Sequence, residues 1–136
     1  MRSGVGTANN IFVQCGTSAV VFLNPKNEAD GNVYVGLPKN FQGYYDGDSK
    51  RYLDLAAWRE AHGWDKNSVV AEAEIGFDPD TLALTISSRK PLPRVRAVNH
   101  IQADMLGKAT GATRVAGPLA NPRAKRSWHM DPRLPA

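Results

Sequence analysis

Cysteine is nearly absent from this chain: Cys15 stands alone, which excludes an intrachain disulfide and any zinc site built from several cysteines. Its apolar, strand-like surroundings point to packing rather than to a reactive thiol. Long apolar runs are missing too. None approaches a membrane span, and no apolar h-region follows Met1-Arg2-Ser3-Gly4, so neither a membrane partner nor a signal peptide is expected. Gly4-Val5-Gly6 lacks the preceding strand and third glycine of a dinucleotide loop, and no Walker motif occurs. The three histidines, His62, His100 and His129, lack ligand spacing, so no metal or other cofactor is expected.

Acidic residues are scarce in one half. Residues 1–88 hold seven Lys/Arg against eleven Asp/Glu, whereas residues 89–136 hold ten against two. The basic run Arg123-Ala124-Lys125-Arg126 suits contact with an anionic polymer, nucleic acid included, but Pro122, Pro132 and Pro135 deny it regular structure. A solvated, flexible tail over 121–136 is the simpler reading, and cutting after Asn121 should leave stability unchanged. The whole chain, 136 residues with 42% hydrophobic and 22% charged content, has room for one domain with a modest core.

What is present is concentrated between Leu53 and Ile86. Asp54 is placed to accept first-turn amide protons, and Leu55, Trp58 and His62 fall on one helical face. Gly63 supplies a left-handed stop. The spacing predicts a helix over about 54–62, with Trp58 as its anchor and His62 as a packed residue. From Val69 the period becomes two: Val69, Ala71, Ala73, Ile75 and Phe77 share one strand face, opposite Glu72 and Glu74. Asp78-Pro79-Asp80 breaks that strand, and Leu82, Leu84 and Ile86 begin another.

Upstream lies an echo. Asn10-Ile11-Phe12-Val13 returns as Asn32-Val33-Tyr34-Val35, with the strand candidate Ser18–Leu23 between them. Short β runs at a period in the twenties are how a solenoid rung reads in sequence. Pro25 through Gly31 reads as a polar connection. Residues 36–52 read as an irregular excursion in which Tyr44, Tyr45, Asp46, Asp48, Lys50 and Arg51, joined by Arg59 from the helix, form a candidate ligand set. Aromatic faces stack on sugars, and carboxylates bind hydroxyls. Calcium is a poor fit, because Lys50 and Ala57 stand where an EF-hand needs oxygen ligands, and Asp46-Gly47 and Asp48-Ser49 are also ordinary turn chemistry.

Trp58-Arg59-Glu60, then Gly63-Trp64-Asp65-Lys66-Asn67-Ser68, then Phe77-Asp78-Pro79 and Leu82-Ala83-Leu84 follow one another in an order that resembles the C-terminal end of right-handed parallel β-helix proteins, the pectin-lyase-like superfamily. Asp104-Met105-Leu106-Gly107, Arg114 and Gly117-Pro118 resemble that family's tail. The likeness spans about residues 8–120, and it departs where Lys90-Pro91-Leu92-Pro93 replaces the family's P-G-S-P-A turn.

The resemblance implies a mainly β fold: the C-terminal rungs of a parallel β-helix over 1–120, with one short capping helix and Asn10 stacked on Asn32. A small α+β domain is the alternative. It further implies a non-catalytic capping segment of a polysaccharide-associated protein, secreted or periplasmic if part of a longer chain. Its partners would be upstream rungs, or a second copy through an open edge at Asn10–Cys15. The rivals are an acidic-polysaccharide binding, lyase or hydrolase module and a small nucleic-acid binder. No catalytic residues are assigned: the Asn-Thr-Asp run and Asp-Asp pair of polygalacturonase-type members do not occur, and of the Lys, Arg or His that lyase-type members use as base, Arg59 and His62 share one helix, where His62 reads as packed.

Overall fold

A computed structural model describes residues 6–13, 17–36, 41–97, 102–119 and 126–130. The protein is mainly β, with small sheets of mixed direction and, among the described residues, one helix. Cys15, His100 and residues 123–125 lie outside the described part.

The first three strands, β1 (Gly6–Ala8), β2 (Ile11–Val13) and β3 (Val20–Phe22), are answered by β4 (Glu28–Asp30), β5 (Val33–Val35) and β6 (Gly43–Tyr45). Each answering strand runs parallel to its counterpart: Gly6 faces Glu28, Ile11 faces Val33, and Val20 faces Gly43. The echo is therefore a pairing register. The excursion proves more ordered than its sequence suggests, since β6 turns back through a hairpin into β7 (Lys50–Tyr52). The connection before Gly31 likewise contains β4, whose single apolar residue, Ala29, is buried.

Helix α1 (Leu55–His62) matches expectation at both ends. Asp54 Oδ1 accepts from the amides of Ala56 and Ala57 at 2.8 and 3.1 Å. Gly63 stops the helix at φ 72°, a conformation that costs a side-chain-bearing residue about 1 kcal/mol or more. Leu55 and Trp58 are its buried residues.

The alternating run breaks earlier than its period predicts. β8 (Val69–Ala71) joins β5 in parallel, with Val33 facing Val69. β9 (Glu74–Asp78) belongs to another sheet, antiparallel to β10 (Ala83–Ser87). Ala73 and Ile75 still pack on the core, but Phe77 is 54% exposed, beyond the edge of what covers this face. Leu82 stands in the turn with φ 56°, leaving Leu84 and Ile86 as the buried pair of β10.

The basic tail also departs from expectation. β13 (Arg126–His129) pairs with β10 from the side opposite β9, with Trp128 facing Leu84. Met130 is buried with Leu84, Ile86 and Leu119, and Trp128 packs against them. A two-stranded β9–β10 hairpin leaves one edge of β10 without partners, so another strand gains a full ladder by docking there. Between the hairpin and the tail, β11 (Arg94–Arg96) and β12 (Thr113–Val115) form a separate antiparallel pair.

Two cores share β5. Tyr34 points into a cluster with Val20, Phe22, Ala29, Phe41, Leu55 and Trp58. Val33 and Val35 point the other way, into Val95 and Ala116 with Ile11, Val69, Ala71, Ala73 and Ile75 packed around them. All three residues of β5 are buried, the pattern of a strand covered on both faces. Phe12 stacks on its register partner Tyr34 with ring centroids 5.2 Å apart and planes 11° from parallel.

Polar side chains fasten the corners. Asn10 and Asn32 precede β2 and β5, and Asn32 Oδ1 accepts from the Asn10 amide at 3.0 Å and from Asn10 Nδ2 at 3.4 Å. Ser68 precedes β8 and donates its hydroxyl to Asp65, while its Oγ accepts from the Asn32 amide at 2.9 Å. One residue earlier the backbone turns left-handed twice, at Asn9 (φ 56°) and Gly31 (φ 63°), and Asn9 Nδ2 donates to the Gly31 carbonyl.

Candidate functional site: a hairpin, a helix end and a buried carboxylate

The hairpin of β6 and β7 carries six of the seven residues that the sequence groups as a ligand set. Tyr44 and Arg51 face each other across the strands, with Lys50 and Arg51 exposed. The Tyr44 hydroxyl donates to Asp46 Oδ1 at 3.4 Å. Asp48 Oδ1 accepts from the Lys50 amide at 3.0 Å, which closes the turn, and the Asp46 carbonyl accepts from the Ser49 amide at 3.1 Å.

Tyr45 turns away from that group toward the helix end. Its ring meets His62 and Trp64 edge-on, at centroid distances of 4.9 and 5.3 Å. Tyr52 meets Trp58 and His62 in the same manner, at 5.4 and 5.2 Å. These rings spend their faces and edges on one another, an arrangement that contributes about 0.5–1.5 kcal/mol per pair beyond area burial.

At the rim of this cluster stand Asp48, Tyr52 and His62. Tyr52 donates its hydroxyl to Asp48 Oδ2 at 2.6 Å, and His62 Nε2 lies 3.1 Å from both that oxygen and the Tyr52 hydroxyl. The phenol has one proton, and it is spent on the carboxylate. Nε2 must then carry a hydrogen and act as donor. Tyr52 is pushed up to about 12, first by its hydrogen bond to Asp48 and then by burial, and the same bond lowers Asp48. A phenol held neutral to that degree is a poor proton carrier near neutral pH. The trio ties the hairpin to the helix end and has no free base to offer a substrate. Its sequence signal was thin, because Asp48, Tyr52 and His62 meet only once β7 and α1 have packed.

Arg59 is not brought to the hairpin's outer face. Its Nε donates to the Asp65 carbonyl at 2.9 Å and its Nη2 to the Ser68 carbonyl at 2.8 Å, clamping the loop that follows the helix.

Asp65 is the residue that the candidate set omits. Fully buried, it accepts from Trp58 Nε1 at 2.9 Å, from the Tyr34 hydroxyl at 3.1 Å, from Asn32 Nδ2 at 3.2 Å and from the Ser68 hydroxyl. Four side-chain donors from the helix, β5 and both corners meet on one carboxylate. Its own amide donates to the Ala29 carbonyl, and two positions on Asn67 grips the Asp30 carboxylate through amide and side chain at 2.6 and 2.7 Å. The Gly63–Ser68 loop therefore lies along β4. The available signal was the Asp-x-Asn-Ser spacing, which places two acceptors and a hydroxyl in one turn.

Groups of three or more His, Cys, Asp or Glu side chains suited to a metal do not occur among the described residues. No protein-family model, curated protein or solved structure matches this chain.

Proposed function

We propose that residues 6–71 are successive turns of a right-handed parallel β-helix of the pectin-lyase-like kind, and that the chain serves as its non-catalytic closing section. The observation that carries this reading is the repeated corner: left-handed Asn9 recurs as left-handed Gly31, and Asn10, Asn32 and Ser68 join in one hydrogen-bonded line ahead of three parallel strands. Repeated side-chain ladders at fixed corners hold solenoid turns in register. Helix α1, within this span, packs Leu55 and Trp58 into its aromatic core, and Val95 and Ala116 from beyond residue 71 pack on the valines of β5. Strands β1, β2 and β3 are edge strands of their sheets, among the described residues, and an edge is a template for another strand.

Its partner at that edge would be further rungs or a second copy of the chain. Light scattering over a concentration series tests this, with Phe12→Lys as the comparison. Phe12 stacks on Tyr34 with one face, so a charge there spoils the surface offered to the next turn. Self-association that rises with concentration and is lost in Phe12→Lys, with circular dichroism unchanged, supports the reading. A monomer at every concentration, or association indifferent to the substitution, argues for a closed α+β domain.

A second reading rests on the Tyr44–Arg51 cross-strand pair, which sets an aromatic face beside an outward guanidinium with Lys50 adjacent. That surface suits an acidic polysaccharide. Affinity electrophoresis in polygalacturonate separates it from the first reading: retardation abolished by Tyr44→Ala with Arg51→Ala favours binding here, and free migration excludes it.

A further inference from the structure

A cleft of about 420 Å³ lies away from the hairpin, between the β1–β2 corner and the C-terminal segments. Ala8 through Ile11 form one wall; Ala103, Asp104 and Met105 form another; Arg114, Gly117 and Pro118 close it. Its size falls within the ~300–1,000 Å³ common for small-molecule sites.

Arg114 is the unusual member. It is 3% exposed, among the most buried polar residues of the described chain. Nε donates to the Val115 carbonyl at 3.2 Å and Nη2 to the Gly117 carbonyl at 2.6 Å. Among the described residues Nη1 has no hydrogen-bond partner and no carboxylate forms an ion pair with the guanidinium. No buried side-chain nitrogen or oxygen among the described residues lacks a partner, so Nη1 is reached by solvent, and the two carbonyl bonds satisfy the other nitrogens without neutralising the charge. The chain around it is built for close approach. Gly117, at φ 100°, donates its amide to the Asn9 carbonyl at 2.7 Å, and a Cβ there would stand 2.8 Å from Ile11 Cγ2. The wall that fixes Arg114 is thus locked to the β1–β2 corner.

The geometry points to a binding site for a small organic monocarboxylate, with the carboxylate on Arg114 Nη1 and the carbon body against Ile11, Met105 and Pro118. Three observations select that class. The unneutralised guanidinium calls for one oxyanion. The apolar lining residues leave room for more than a bare ion. Asp104 also lines the cleft, with Oδ1 accepting the Leu106 and Lys108 amides at 2.9 Å each, and a carboxylate in the lining penalises a dianion such as phosphate more than a monoanion. The site goes beyond the structural role proposed above and does not depend on it.

Amide and guanidinium NMR titrations of the whole chain test the site, with acetate, butyrate and phosphate as probes at constant ionic strength. We expect saturable shifts at Asn10, Val115, Gly117 and the Arg114 Nε–H with both carboxylates. Butyrate should bind about threefold or more tighter than acetate, from its additional buried methylenes. Arg114→Gln should weaken both by about tenfold or more, the worth of a charged hydrogen bond. Because that variant removes a buried clamp, Met105→Trp provides a second arm: Met105 is half exposed at the cleft, and a larger side chain there should block butyrate with the fold intact. Non-saturating shifts, binding that survives Met105→Trp, or phosphate binding as tightly as butyrate would each overturn the assignment.

Discussion

The part built mainly on parallel pairs, residues 6–71 with the β6–β7 hairpin as its antiparallel exception, and the antiparallel part, residues 74–130, solve the same problem of short strands in different ways. In the first part no strand among the described residues exceeds three residues, so each ladder has few backbone bonds, and long connections must be held closed. Side chains do this: aromatic rings fill the space between ladders, and polar residues bolt the corners to Asp65. The antiparallel part has the two five-residue strands found among the described residues, β9 and β10, joined by a tight turn. Pairing there is local, few residues of β9 are covered, and the sheet of β9, β10 and β13 packs on a small cluster of Leu84, Ile86, Leu119 and Met130, while Val95 and Ala116 join the core beneath β5. Stability in the first region rests on a network, and in the second on ladders and one thin apolar layer.

Asp65→Ala breaks the comparison hardest. It strips the acceptor from four buried donors, each worth about 1–3 kcal/mol when left unmade, and should cost about 4 kcal/mol or more. With total stability typically about 5–15 kcal/mol, urea denaturation should find the variant barely folded. Trp58→Ala follows at about 3–5 kcal/mol for the lost ring. Trp58→Phe keeps most of that ring and removes Nε1 alone; if it costs as much as Trp58→Ala, the hydrogen bond to Asp65 outweighs the packing and the network account becomes sharper.

Met130→Ala tests the thin layer and should cost about 2 kcal/mol by the same denaturation series, at the low end for a buried methionine because the cluster around it is small. Removal of residues 126–130 should destabilise at least as much, contrary to the expectation for a solvated tail. No change in midpoint would mean that β13 contributes nothing to the second region. Asp54→Ala, which removes only a helix cap, should cost about 1 kcal/mol.

The smallest effect concerns pH. Tyr52 is held protonated up to about 12 against an ordinary value of 10.0, so its bond to Asp48 stabilises the folded chain fully below about pH 10. That contribution is lost as pH rises through 12. Ultraviolet titration of the phenols should show one late-ionising tyrosine in the wild type. Asp48→Asn should bring it back toward 10, since the carboxylate is the first cause of the shift. The hairpin is solvated, so the accompanying change in stability should be slight.

The helix was legible from its residues because its determinants are local: Asp54 caps, Trp58 anchors and Gly63 stops within a single stretch. The 22-residue echo was legible because parallel pairing repeats the same residue types at the same offset. The break at Glu72-Ala73 was not, since alternation continues unbroken across two strands that belong to different sheets. Nor was β13, whose few apolar residues gain a partner only where β10 presents an open edge.

For the site, the sequence named the hairpin residues by their chemistry and passed over the two that structure makes central. Asp65 read as one member of the Gly63–Ser68 motif, and Arg114 as one arginine in a family-like tail. The amino-acid sequence by itself determined the composition of the strands, the caps of the helix and the offset of the repeat, because each depends on neighbours within a turn or on periodicity. Tertiary structure alone decided that Asn32 and Tyr34, more than thirty residues away, join Trp58 and Ser68 on Asp65, and that Arg114 is buried with no ion pair among the described residues. Burial and charge compensation are properties of what surrounds a residue in space, and no local pattern records them.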